Sequence, residues 1–304
     1  MQRGARALSG VIAGALALGA GVVTPLARTA PESAPDLAIE SRVVASYQAR
    51  AAALSRLWAR VVFVLEYKDA DGQARSEQGE GHLQFLGPDR LALSLGKVGQ
   101  RVLYLGCDAD RFWFIDMTDG GRAYVGRNTN VGKPCMEDSG LPANPLDVLA
   151  TLGVRTLPDG AQGRVGGAVG EARVFVTTPS GRLRITSNVD TGEPSRIELL
   201  PGAAGDATSW AGTPTIVATM SDYAPVEMRG GGAPVRMPKQ IVMEARASEM
   251  KLTLHLFDPV RGTDRQLPPQ AFDLDFLLDV HAPGSIRLLD ENCDGAPVDE
   301  PEGR

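Results

Sequence analysis

The stretch that decides the fold is residues 79–95, GEGHLQFLGPDRLALSL. Gly79, Gly81, Leu83 and Phe85 fall on one face, and Gln78, Glu80, His82 and Gln84 on the other. This two-residue period belongs to a strand with one dry and one wet side. Gly87-Pro88 turns the chain, and Leu91, Leu93 and Leu95 then share a face until Gly96 ends the run. The reading is a pair of antiparallel strands with an apolar face.

The same grammar extends in both directions. Upstream, Val61, Val62, Phe63, Val64 and Leu65 form a strand-like run, closed by the hairpin dipeptide Asp71-Gly72. Ahead of it, Val43, Tyr47, Ala51, Leu54 and Trp58 recur at spacings of three and four, one face of a helix starting near Asp36. Downstream, strands are expected over 102–105, 112–115 and 122–126, with turn residues between them. A short helix follows, with Asn144 as its cap, Pro145 at its first position, Leu146, Leu149 and Leu152 as its apolar side and Gly153 as its terminator. Strands resume over 174–177, 183–186, 197–199, 215–220, 239–244 and 251–257. The Gly/Pro-rich stretches 201–212 and 224–238 read as surface loops, and little regular structure is expected after Leu278. Gly163, Gly166, Gly167 and Gly170 read as a flexible loop, because no strand precedes them to make a dinucleotide-binding turn.

The amino terminus has a separate meaning. Arg3 and Arg6 precede a run from Ala7 to Ala27 without a charged side chain, rich in Leu, Val and Ala. This is the pattern of a secretory signal, and it is also long enough to span a bilayer if left uncleaved. The expected organisation is a signal peptide or uncleaved anchor at 1–30, a linker at 31–40, a β domain at 41–280 and an acidic, disordered tail at 281–304. No cysteine precedes Cys107, so a lipid-modified amino terminus is not expected. The expected location is the periplasm or cell envelope, or alternatively the inner membrane by way of the amino-terminal segment.

Composition narrows the function classes. A net charge of −6 gives no general attraction for nucleic acid, which is not expected as a partner. Thirty-five glycines and 21 prolines with 5% aromatics fit many short strands better than a helical bundle. Of the three cysteines, Cys107 and Cys135 are the expected disulfide, with Cys293 left in a polar tail; the alternative is three unpaired thiols.

Taken in order, the helix leading into RVVFVLEY, the pair GEGHLQFLGPDRLALSL, the segment LGCDADRFWFID with Trp113, the helix NPLDVLATLG and the late run MPKQIVMEARASEMKLTLHLF resemble the LolA/LolB-like superfamily of periplasmic carriers. The resemblance covers residues 43–278. It implies a mainly β (α+β) fold: a curved antiparallel half-barrel sheet with short helices covering its concave face. It also implies a non-catalytic carrier that binds a lipid or lipoprotein acyl chains in an apolar cavity. On that expectation the wall is formed by Leu83, Phe85, Leu91, Leu93, Val102, Tyr104, Phe112 and Phe114, with Leu146, Leu149 and Leu152 as a movable lid. The bland alternative is that these residues fill a closed core. A second functional reading keeps the sheet as scaffold for an envelope sensor or interaction module, with other envelope proteins as partners.

Catalytic signatures are missing: the sequence has no G-x-S-x-G, no H-E-x-x-H and no phosphate-binding loop. No cofactor or catalytic residue is expected. Asp108, Asp110 and Asp116 near Trp113 are the clustered acids an unfamiliar enzyme would use. His82 and His255 belong to wet strand faces. Asp290, Asn292, Asp294 and Gly295 start like a calcium loop, but Pro301 stands where the closing glutamate belongs, so a solvated acidic tail is expected and no metal.

Overall fold

A computed structural model describes residues 34–293, except 69–70, 98–99, 119, 134, 137–144, 167, 179–180, 201–211 and 228–234. The expected signal or anchor segment, the Asn144 cap and the remainder of the calcium-like motif after Cys293 lie outside the described residues. Among the described residues no helix is long and apolar enough to cross a membrane.

The described strands form one open, curved sheet. In chain order they are β1 (Arg56–Lys68), β2 (Ala74–Leu86), β3 (Arg90–Lys97), β4 (Gln100–Cys107), β5 (Arg111–Asp116), β6 (Arg122–Arg127), β7 (Gln162–Val165), β8 (Glu171–Thr178), β9 (Gly181–Asn188), β10 (Pro194–Leu200), β11 (Ile216–Pro225), β12 (Arg236–Ala245), β13 (Met250–Arg261) and β14 (Ser285–Leu288). Their spatial order is β14-β6-β5-β4-β3-β2-β1-β13-β12-β11-β10-β9-β8-β7. Neighbours are antiparallel throughout, apart from the parallel β14–β6 pair. The two meanders meet where β1 pairs with both β2 and β13. That double pairing explains a correction: Trp58, expected on the first helix, lies in β1.

Helix α1 (Ala34–Ala53) begins inside the expected linker and packs its Val43, Tyr47 and Ala51, with Leu54 just beyond, into the concave side of the sheet. The helix approaches closely where glycine leaves room. A Cβ on Gly163 of β7 would meet the Glu40 carbonyl oxygen at 2.1 Å. The segment read as a flexible glycine loop is therefore partly the edge strand under α1. Ser46 Oγ donates to the Val189 carbonyl at 2.7 Å, and Gln48 exchanges two hydrogen bonds with the Leu157 backbone, fixing α1 to the loops.

The face parity read from Gly79–Leu95 holds across the sheet. Val61, Leu83, Leu93, Leu105, Val174, Ile185, Ile197, Ala218, Ile241 and Leu254 all belong to one concave core with α1 and α2 (Pro145–Ala150). A smaller core lies on the convex side, where α3 (Leu274–His281) lays Leu274 and Leu277 over Tyr104, Trp113, Ile115, Ala123 and Val125. Asp273 caps α3, its Oδ1 accepting from the Phe276 N–H at 3.1 Å.

Three expectations fail at the carboxyl end. Residues 281–293 are part of the fold and not an irregular tail: β14 pairs with β6, and the Asp290 carboxylate is buried, accepting from Arg127 N–H and Asn130 Nδ2, both at 2.8 Å. Asp290, expected in a solvated tail, is thus spent on holding the chain in place. The disulfide joins Cys135 to Cys293, with a Cα–Cα distance of 5.1 Å, and Cys107 is a buried free thiol. Pairing of β14 with β6 carries Cys293 to Cys135. Cys107 instead sits in the concave core, its Sγ 3.2 Å from the Asp89 carbonyl. Burial pushes the Cys107 thiol above its ordinary value.

In the second meander, Glu198 is buried between two guanidiniums, 2.6 Å from Arg184 and 3.1 Å from Arg196. Burial pushes its carboxyl up, but the two arginines outweigh that and hold it below its ordinary 4.5. A depressed carboxylate stabilises the fold above its unfolded value and loses that contribution as the pH falls through the folded one. Urea unfolding is therefore expected to show a stability loss below pH 4.5 that is smaller in Glu198→Gln. An identical acid limb in both proteins would refute this.

Candidate functional site

At one end of the concave face the two layers part, leaving a half-open cavity of about 510 Å³. Its wall is a cross-strand ladder. Leu252 of β13 faces Leu65 of β1, Leu95 of β3 faces Leu103 of β4, and Leu93 faces Leu105, which in turn faces Phe114 of β5. β2 contributes glycines at this level, and a Cβ on Gly79 would meet the Phe63 ring at 2.7 Å, so the missing side chain makes space for that ring. Pro145 and Val148 of α2 cover the ladder. Apart from Met250, the remaining wall is polar: Tyr67, Lys68, Glu77, Asp116, Thr118 and Ser248, drawn from the ends of β1 and β5, the start of β2 and the approach to β13.

These polar groups are ordered. Tyr67 donates its hydroxyl to Glu77 Oε1 at 3.0 Å, and Lys97 Nζ lies 2.9 Å from Glu77 Oε2. The Lys97 hydrogen bond, with that from Tyr67, holds the Glu77 carboxyl below its ordinary range, while sharing its proton with Glu77 raises Tyr67. Lys68 is ion-paired with Glu249. The Asp116 Oδ1 accepts from the Thr118 N–H at 2.9 Å and its hydroxyl at 2.6 Å.

Helix α2 is clamped at its far end. Arg50 of α1 is buried and donates from Nη1 to the Gly153 carbonyl at 2.7 Å, a cation placed just past a helix carboxyl terminus, with its guanidinium 5.8 Å from the Tyr223 ring centroid. Burial pushes the neighbouring Tyr47 hydroxyl up to about 12, against the pull of Arg50.

The expected wall residues divide. Leu93 and Phe114 line the cavity. Leu83, Phe85, Leu91 and Phe112 are fully buried in the concave core beside it. Tyr104 is on the opposite, convex side, its hydroxyl donating to the Ala271 carbonyl at 3.1 Å, which corrects its assignment; Val102 lies in β4. Leu149 and Leu152, expected in a movable lid, are fully buried in the core, and Leu146 packs at its margin, so α2 presents Pro145 and Val148 instead. Sequence reading missed Phe63, Leu65, Leu103, Leu105 and Leu252. The parity of the Leu83–Leu95 hairpin, carried across each pairing, is the signal that would have found them.

The acid trio is not assembled. Asp108 and Asp110 belong to the β4–β5 turn, where Asp108 Oδ1 accepts from the Asp110 and Arg111 N–H groups. Asp116 stands at the other end of β5, about 20 Å from Asp110 at ~3.3 Å per residue. Among the described residues no group of three His, Cys, Asp or Glu side chains is placed to hold a metal ion.

No protein-family model and no curated protein matches the chain. Solved structures do resemble it in backbone course. One is a LolA superfamily protein from Nitrosomonas europaea, 11% identical, with a TM-score of 0.49, covering 78% of this chain and 98% of that one. Another is a DUF1329 family protein from Desulfovibrio piger, 11% identical, with a TM-score of 0.48, covering 76% of this chain and 99% of the other.

Proposed function

We propose that this protein is a non-catalytic carrier of the cell envelope that holds the apolar chain of a lipid, or of an acylated protein, in the cavity beneath α2. The observation that carries the reading is the wall: about 510 Å³ of half-open space, within the usual range for small-molecule sites, lined chiefly by Leu, Phe, Met, Val and Pro. Each methylene moved from water into it contributes about 0.8 kcal/mol, so a long chain binds without a dedicated polar partner. The Cys135–Cys293 disulfide suits an oxidising compartment, which supports export through the amino-terminal segment.

The test is binding of an uncharged apolar fluorophore, N-phenyl-1-naphthylamine, and its displacement by dodecanol, together with organic extraction of protein purified from its native envelope. Saturable binding and a co-purified acyl lipid are expected. No saturable binding and an empty extract would sink the reading.

A further inference from the structure

Four strands of the second meander turn a cationic face outward. In β8, β9 and β10, Ala172, Val174, Leu183, Ile185 and Ile197 enter the concave core, so the alternate residues lie on the convex face. Carried across the pairings to β7, that face bears Arg164, Arg173, Arg182, Arg184 and Arg196 against the acids Glu171 and Glu198. The excess is local, because the whole chain carries −6. Glu198 is shared by Arg184 and Arg196, and Glu171 Oε2 accepts from the Ala168 N–H at 3.3 Å. Arg164 and Arg173 are exposed, stand directly opposite each other in the β7–β8 register and belong to no ion pair among the described residues. Like charges placed directly across a ladder cost stability. Arg196 continues the same rung beyond Thr186. Next to the arginine pair, the hairpin tip VGGAVG at 165–170 has no charged side chain. Val169 is wholly exposed and Val165 half-exposed. A Cβ on Gly166 would lie 3.7 Å from Arg173 Nη1, which places that guanidinium at the tip.

We propose that this face docks on an anionic lipid bilayer, with Arg164 and Arg173 on lipid phosphates and Val169 set shallowly into the interface. A guanidinium forks onto phosphate oxygens, and an anion shared by the two arginines removes the repulsion that the bare pair carries. The exposed valine gains by leaving water, and a bilayer offers it an apolar layer directly beneath the phosphates. An acidic protein segment satisfies the arginines alone and leaves the valine in water. Acids elsewhere on the surface oppose the approach weakly, because exposed charges are screened beyond about 8 Å at physiological salt. The docking face is on the convex side of β7 to β10, away from the cavity, and does not depend on the carrier reading.

The experiment attaches an environment-sensitive nitrobenzoxadiazole fluorophore at Val169→Cys, the Cys107 thiol being buried away from the label. Vesicles of phosphatidylcholine alone are compared with vesicles of phosphatidylcholine and phosphatidylglycerol in equal parts. A blue shift of the emission is expected on the anionic vesicles and not on the neutral ones. Arg164→Gln with Arg173→Gln is expected to raise the lipid concentration that gives half the shift about twentyfold. Lys239→Gln with Arg265→Gln, the same change of charge at exposed positions elsewhere, is expected to move it by less than about threefold. The arginine variant is expected to unfold at a urea concentration no lower than the wild type, since it removes a like-charge pair, and a lower midpoint would assign the pair a structural role and count against the proposal. No shift on anionic vesicles, an equal shift on neutral ones, or a shift that the arginine variant keeps would overturn it. So would a shift produced by soluble polyglutamate and not by vesicles, which assigns the face to an acidic protein segment. A bilayer held by the amino-terminal segment does not mimic the expected result, because the signal is local to residue 169 and depends on lipid charge.

Discussion

Replacing Cys135 and Cys293 together by serine is expected to lower the unfolding free energy by about 2–5 kcal/mol, read as a shift of the urea midpoint at pH 7. The bridge spans 158 residues of sequence, so in the chain-entropy account it removes much of the freedom of the unfolded chain. It also fastens the short parallel strand β14 to the β6 edge of the sheet. With the bridge gone, that strand keeps its backbone pairing and the Asp290 contacts to Arg127 and Asn130. Loss of the bridge is thus expected to loosen 285–293 first, seen as faster amide exchange there than in β1 or β13. An unfolding free energy within about 0.5 kcal/mol of the wild type would show that these contacts suffice.

Filling the cavity gives the second large effect. Leu103→Trp places an indole against Leu95, Phe114 and Val148, where the wall is lined but not sealed. At least a tenfold loss of affinity for dodecanol is expected, with far-ultraviolet circular dichroism unchanged. Leu103 is half-buried at the cavity surface, so the new bulk enters open space and does not overpack a sealed core. The same change made at Leu83, which is fully buried, is expected to damage folding as well. Undiminished binding in folded Leu103→Trp would show that the ligand sits elsewhere.

The errors in reading the site have a common origin. In RVLYL, positions 102–105 are all apolar, so alternation is silent about which of Leu103 and Tyr104 turns inward. The structure resolves it because both sides of β4 are covered, the concave side by the cavity and α2 and the convex side by α3. A strand buried on both faces loses the polar half of its code. Leu149 and Leu152 were legible as the apolar side of a helix, but helical period does not say whether that side meets a cavity or a packed core. Asp116 was visible as an acid near Trp113. Its isolation from Asp108 and Asp110 appears only once β5 is laid out straight between them.

By itself, the sequence determined the class of fold, the central hairpins, the concave parity of Gly79–Leu95 and the helical face of Val43, Tyr47 and Ala51. Each depends on residues within one or two turns of one another, so local period and turn chemistry suffice. Only the tertiary structure decided that β14 returns to β6, that Cys293 takes Cys135 and that Asp290 is a buried anchor. Those facts join residues more than a hundred positions apart. The energy that selects them is in surfaces and charges that meet only after the sheet has curved.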